Sequence, residues 1–243
     1  MTCWAYYPEK KGEEVPEEFY RHSIDVAEYL FNDMKRITAP AIRKVSAVLG
    51  ISEDLVHDAV FLSGLLHDLG KTCTCYQEKP WEGFSGHWIL SAGIVYNIIT
   101  NPFLKTPVDP EVLAHLFVYP ILLHHYAQAD LLRARGRINI DSVQVHGDCI
   151  KPVMDLVAYG LDRAKSPIGK VTLNDLLADL NDGVLIVFPI EVKLRELLLS
   201  KLPDVKKYVT MAIAGLLNEA DGSVAGRNRS KRGNEKVARS ARC

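Results

Sequence analysis

The sequence has 243 residues, 48% of them apolar and 24% charged, with 29 Lys+Arg against 30 Asp+Glu for a formal net charge of −1. A disordered chain would be poorer in apolar residues and further from neutrality, so this composition requires a folded core. The length suits one large domain or two small ones, with enough interior to fold without staples.

From about residue 17 to 37 the residues Phe19, Ile24, Ala27, Leu30, Phe31 and Met34 share one broad apolar face, which predicts a first helix. Ser52 followed by Glu53 and Asp54 has the form of an N-cap with acids in the first turn. The helix it opens should run through Val56, Val60, Leu62 and Leu66 towards Gly70. A third helix is expected over His87–Thr100, stopped by Asn101-Pro102. A fourth follows Pro110 through Leu113, Leu116 and Phe117, to be kinked or restarted at Pro120. Residues 138–146 alternate weakly and hold β-branched side chains, as a short strand or ribbon would, and Val184–Phe188 is a second candidate strand. Further helices are expected at 150–164, 172–181, 190–201 and 204–220, with Pro189 and Pro203 where helix starts accept proline. No repeat or interdomain linker interrupts this pattern. The expected fold is mostly α, one helical domain over residues 1–225 with a short β-ribbon.

Residues 226–243 hold seven Lys/Arg and one acid, Glu235, a charge of +6 that leaves −7 on the rest. This Gly/Ser/Arg/Lys-rich stretch lacks apolar periodicity and reads as a disordered basic tail. Arg227, Arg229, Lys231 and Arg232 are its candidate nucleic-acid contacts, of the salt-sensitive phosphate kind. Solvated disorder and docking onto an acidic partner are the competing readings.

Five cysteines (Cys3, Cys73, Cys75, Cys149, Cys243) at scattered spacing make a poor disulfide framework. With no apolar signal stretch at the N-terminus, they suggest a reduced, cytoplasmic protein. The longest apolar run, Val184–Ile190, is far short of the ~20 residues that span a bilayer, so no membrane partner is expected. Cys73-x-Cys75 lacks the second pair that a zinc site would need and reads as packing or loop cysteines.

The histidines carry the chemical signal. His67-Asp68 closes an apolar helix in LSGLLHDLGK, and adjacent helical residues diverge by about 100°, so the pair can reach one ion from different sides. Lys71 follows at i+4 and i+3. His87 opens a helix in FSGHW, His124-His125 form a tandem in ILLHHYA, His22 lies in the first helix, and Asp221 ends the last. A lone histidine on an apolar helix is more often a satisfied core residue, and His57, His115 and His146 are read that way. A His-Asp pair, a His-His tandem and two further histidines on separate apolar elements would be costly to bury without strong partners, which bound cations supply. Imidazole with carboxylate suits Mn²⁺, Fe²⁺, Co²⁺, Ni²⁺ or Zn²⁺.

The ordered series His22, His67-Asp68 with Lys71, His87, His124-His125 and Asp221 resembles the HD metal-dependent phosphohydrolase superfamily. The aromatic-rich opening CWAYYPEK, the Gly-His before a helix and the His-His tandem make it similar to the HD nuclease of type I CRISPR interference systems. The resemblance implies that His22, His67, Asp68 and Asp221 hold one metal and Asp68, His87, His124 and His125 a second, with Asp68 bridging. It implies Asp68 and Lys71 as catalytic residues, Lys71 lying near the scissile phosphate. The cofactors implied are two divalent ions (Mn²⁺, Mg²⁺, Co²⁺ or Ni²⁺). The activity implied is hydrolysis of single-stranded DNA, with RNA left open, alongside a CRISPR-associated helicase and an RNA-guided surveillance complex. The chain has no P-loop, so it resembles the form in which the helicase is a separate protein. A phosphohydrolase of small nucleotides and a non-catalytic, metal-stabilised interaction subunit are the alternatives.

Overall fold

The computed structural model describes residues 2–8, 14–100, 106–125, 142–188 and 205–230. Strand β1 (Trp4–Tyr6) pairs antiparallel with β2 (Glu17–Glu18), and the chain turns straight from β2 into helix α1 (Phe19–Phe31). Helix α1 buries Phe19, His22, Ser23, Val26, Ala27 and Leu30 on one face. The single first helix expected over 17–37 is in fact two. The chain breaks at the turn-forming pair Asn32-Asp33, and α2 (Lys35–Leu49) follows, ending at Gly50 in the left-handed conformation (φ 66°) that closes many helices. Met34 is buried between them, while Ile37 belongs to α2 and faces solvent.

Helix α3 (Glu53–Leu66) opens as expected, with Ser52 Oγ accepting from the Leu55 amide at 3.2 Å. It packs on α1 at very close range. A Cβ on Gly64 would lie 2.8 Å from Leu30 Cδ1 and 3.0 Å from Ala27 Cα, so only glycine allows the approach that sets His22 beside His67. A 3₁₀ turn (Leu69–Thr72) and a single helical turn (Thr74–Gln77) lead to α4 (His87–Ile99), matching the third expected helix. Beyond Pro110 the chain runs through α5 (Pro110–Leu113), a π-helical segment (Ala114–Val118) and α6 (Tyr119–Leu123). Pro120 sits at the start of α6, where its missing N–H breaks the regular ladder, as the sequence predicted.

Strands β3 (Ser142–Gln144) and β4 (Val184–Ile186) form the expected ribbon, antiparallel with Val143 opposite Leu185. Residues 138–141 of the predicted stretch lie outside the described residues. Helices α7 (Gly147–Arg163) and α8 (Pro167–Leu180) occupy the positions expected for 150–164 and 172–181, starting a few residues earlier. The predicted helix at 190–201 falls outside the described residues. The last helix, α9 (Val205–Arg229), runs nine residues past the expected end at 220. Burial of Leu216, Leu217, Ala220, Asp221 and Val224 carries it through Gly222 and Gly226, tertiary packing overriding weak propensity. The first four residues of the stretch read as a disordered tail are therefore helical, and 231–243 lie outside the described residues.

A disulfide joins Cys3 beside β1 to Cys149 in α7, which corrects the reading of the cysteines as unpaired. The two are 146 residues apart, a pairing that spacing cannot reveal. Among the described residues no helix is long and apolar enough to cross a membrane.

Asp58, fully buried in α3, fastens α3 to the start of α8. Its carboxylate accepts from the Lys165 amide at 3.0 Å and from the Ser166 amide and hydroxyl at 2.7 Å, and Ser166 Oγ in turn caps Gly169 N. Burial would raise its pKa, but hydrogen bonds from His57 and from the backbone of Lys165 and Ser166 outweigh it and hold the carboxyl below its usual value. Asp58→Ala should lower the unfolding free energy by about 3 kcal/mol at pH 7 in urea denaturation. Because the folded pKa is the lower one, the stabilisation is full above the unfolded value of about 3.9 and is lost as pH falls through the folded value. Variant and wild type should therefore converge in stability on acidification through that range.

Candidate metal centre

Seven of the eight predicted catalytic and metal residues are ring nitrogens and carboxylates drawn into one buried cluster from five elements, and the eighth, Lys71, lies against it. His22 projects from α1, and His67 and Asp68 come from the end of α3. Lys71 sits on the 3₁₀ turn, His87 starts α4, His124 and His125 follow α6, and Asp221 lies inside α9 rather than at a helix end. Gly70 lets the turn meet α4: a Cβ there would stand 2.3 Å from the His87 carbonyl oxygen, and its amide donates to Ser91 Oγ at 2.8 Å.

Asp68 is at the middle. Its Oδ1 is 2.9 Å from His87 Nε2; its Oδ2 is 3.4 Å from His22 Nε2, 3.5 Å from His67 Nε2 and 2.7 Å from Lys71 Nζ. Asp221 faces it, with Oδ1 3.1 Å from His22 Nε2 and 3.7 Å from His67 Nε2, and Oδ2 3.9 Å from His125 Nε2. Three sets bring their ligand atoms within 4.8 Å of one another: His22, His67 and Asp68; His87, His124 and His125; and His67, His124 and Asp221. The third set shows something the sequence did not: Asp221, like Asp68, adjoins both histidine groups.

Four imidazoles are held the same way up. His67 Nδ1 contacts the Gly64 carbonyl at 2.8 Å, His87 Nδ1 that of Phe84 at 2.6 Å, His124 Nδ1 that of Ile121 at 2.5 Å, and His22 Nδ1 the Glu17 carboxylate at 2.8 Å. Each acceptor places a ring proton on Nδ1 and turns Nε2 inward, the arrangement of metal-ligating histidine, with Nε2 offering its lone pair wherever the ring is neutral. With the neutral rings' proton on Nδ1, the short Nε2–carboxylate approaches set acceptor against acceptor, and five buried side-chain atoms here have no donor of their own among the described residues: Nε2 of His22, His67, His87 and His124, and Oδ1 of Asp68. Burying so many lone pairs unsatisfied is expensive, and a divalent cation is the partner that fits imidazole and carboxylate together.

The electrostatics agree. Burial opposes ionisation of Asp68, yet His67, Lys71 and His87 hold its carboxyl well below the usual range; Asp221 is held there likewise by His22 and His67. Burial and the His125 and His67 rings push His124 well down, and burial with His87 lowers His125 to about 4. His87 is lowered by burial and Lys71. These three rings stay neutral and ready to donate a lone pair. His22 goes the other way: burial would lower it, but Asp221 and Glu17 raise it to about 9, so without an ion it holds a proton that a bound cation must displace.

The family model described as "Cas3, HD domain" matches residues 4–134, more than half of the chain. The chain belongs to the Cas3 HD-domain family. That family consists of CRISPR-associated, metal-dependent nucleases whose His and Asp residues bind divalent metal. The match covers His22 through His125, whereas Asp221 lies beyond it and enters the cluster on geometry alone. No curated protein matches the chain.

The remaining sequence candidates fall elsewhere. His57 contacts Asp58, His115 meets Thr210 Oγ1 at 2.8 Å, and His146 caps α7, all apart from the centre. Cys73 and Cys75 bring their sulfurs to 2.6 Å at the start of the Thr74–Gln77 turn, outside the His/Asp cluster. Arg227 lies over the Tyr29 ring, and Arg229 pairs with Glu17 at 3.0 Å. Lys231 and Arg232 lie outside the described residues. Sequence reasoning missed Glu17, one acid in a charged run, whose only signal was its place five residues before His22.

Mn²⁺ or Ni²⁺ should raise Tm, and a chelator should reverse the gain, which amounts to about 2.7 kcal/mol at a free-ion concentration a hundredfold above Kd. Gly70→Ala should push the turn off α4, separate Asp68 from His87, and shrink that metal-dependent rise in a thermal-shift titration.

Proposed function

We propose that this Cas3 HD-domain chain is a nuclease that hydrolyses single-stranded DNA, using two divalent ions from among Mn²⁺, Mg²⁺, Co²⁺ and Ni²⁺. His22, His67, Asp68 and Asp221 would hold one ion, and Asp68, His87, His124 and His125 the other. The observation that carries this reading is the set of inward-facing, unpartnered Nε2 atoms around two buried carboxylates. Divalent ions bound by these residues would supply Lewis acidity and activate a water for phosphodiester hydrolysis.

The chain's own residues set the rest. Asp68 turns its two oxygens to different histidine groups, the geometry of a bridging ligand. Lys71, held by Asp68 Oδ2 and 5.5 Å from the Phe84 ring centre, keeps a cation beside the centre, where negative charge develops on phosphorus. Access is one-sided: the side chains of His22, His67 and Asp68 are at most 1% exposed, against 20% for His125 and 13% for Asp221. A recessed centre of this kind suits a strand that can bend into it. The acidic body favours delivery of that strand by a separate helicase and an RNA-guided complex over grip by this chain alone, and a cytoplasmic location belongs to the same proposal.

The test is a metal-series cleavage assay on single-stranded DNA, duplex DNA, RNA and free nucleotides. Single-stranded DNA should be cut, Asp68→Ala should lose at least about 10³-fold in rate, and Lys71→Ala about 10²-fold. Turnover of nucleotides without polymer cleavage, or cleavage indifferent to Asp68→Ala, would overturn the reading.

A further inference from the structure

Three of the four oriented histidines find their Nδ1 acceptor in nearby backbone. His67 and His124 sit just past helix ends, where the last carbonyls lack helical partners, and His87 follows a loop that offers the Phe84 carbonyl. His22 has no such recourse. It is the fourth residue of α1, and the carbonyls behind it are taken by the helix ladder. Its side chain leans towards the helix start, as helical side chains do, and there it meets Glu17 on β2.

Glu17 is itself built in. It is 4% exposed, and both carboxylate oxygens are engaged beyond His22: Oε1 accepts from Asn228 Nδ2 at 2.9 Å and Oε2 from Arg229 Nε at 3.0 Å. Asn228 also reaches Asp25 at 3.0 Å, the Arg229 guanidinium lies 4.2 Å from the Tyr6 ring centre, and the Arg229 carbonyl accepts from the Val15 amide at 3.2 Å. Helix α9 thus reaches both edges of one imidazole. Asp221 lies 3.1 Å from Nε2, and seven and eight residues on, roughly 11 Å along the axis, Asn228 and Arg229 hold the carboxylate that faces Nδ1.

We propose that Glu17 is a positioning residue of the metal centre: its buried carboxylate, clamped by Asn228 and Arg229, fixes the tautomer and orientation of His22. The inference rests on the reading of His22 as a metal ligand. A carboxylate behind an imidazole also makes the ring a better donor, and losing such a partner typically costs 10–100-fold in metal affinity.

The test titrates Co²⁺ into full-length wild type, Glu17→Ala, Glu17→Gln and His22→Ala, reading binding isotherms and the visible ligand-field spectrum of the bound ion. Glu17→Ala should weaken binding about 10–100-fold and shift the spectrum. Glu17→Gln keeps an acceptor oxygen of the same shape and should recover most of both. That recovery and the spectrum separate positioning from simple loss of fold, and Glu17→Met, similar in length but with no oxygen acceptor, replaces the alanine variant if that one does not fold. If His22→Ala weakens Co²⁺ binding while both Glu17 variants bind with wild-type affinity and spectrum, the positioning role is overturned and the metal reading stands. If His22→Ala binds as wild type does, both fall.

Discussion

A carboxylate sealed from water is the constraint on which this structure turns. An isolated Asp68 would face a desolvation penalty of several kcal/mol, so it can stay ionised only where cations and proton donors crowd around it. The chain meets that demand at short range with His67 and Lys71, beside it in sequence, and at long range with imidazoles from two other segments, His22 on α1 and His87 on α4. The packing follows from this need. Gly64 lets α1 lie against α3, and Gly70 lets the turn lie against α4, because a single methyl at either place would hold the donors off. What resembles ordinary core packing between apolar helices is also the mechanism that brings polar groups to a common point.

Much of this was legible in the residues themselves. His67-Asp68, Lys71 and the His124-His125 tandem are local patterns, and locality is what a sequence states directly. The caps and breaks at Ser52, Pro110 and Pro120 follow from backbone chemistry that needs no partner. What escaped depended on distance. The break that divides α1 from α2 was hidden because apolar residues continue in helical register across Asn32-Asp33. Strand β2 is two residues long and has no periodicity to detect. The Cys3–Cys149 bond joins positions with nothing in common but their residue type. The last turns of α9 look like a tail by composition, and only the surface they pack on makes them helix.

The end of α9 also changes the charge picture. Counted as letters, the basic stretch offers seven positive charges to a polyanion. In the fold, Arg229 neutralises buried Glu17, and Arg227 stacks towards Tyr29. Two of the basic residues near the end of the described chain therefore serve the fold itself, Arg229 as an internal counter-charge.

Helix α9 carries a consequence for the order of assembly. Its Asp221 meets His22 across 199 positions of chain, so the site is closed by a contact about as long-range as this sequence allows. A chain that folds from its N-terminus as it is made would form the histidine cradle early and leave it without its second carboxylate until the final helix arrives. Loop-closure entropy delays such contacts in refolding as well. The cluster is in this sense a latch: its second carboxylate joins only when nearly all of the described fold is in place, and an incompletely made chain holds the histidines without Asp221.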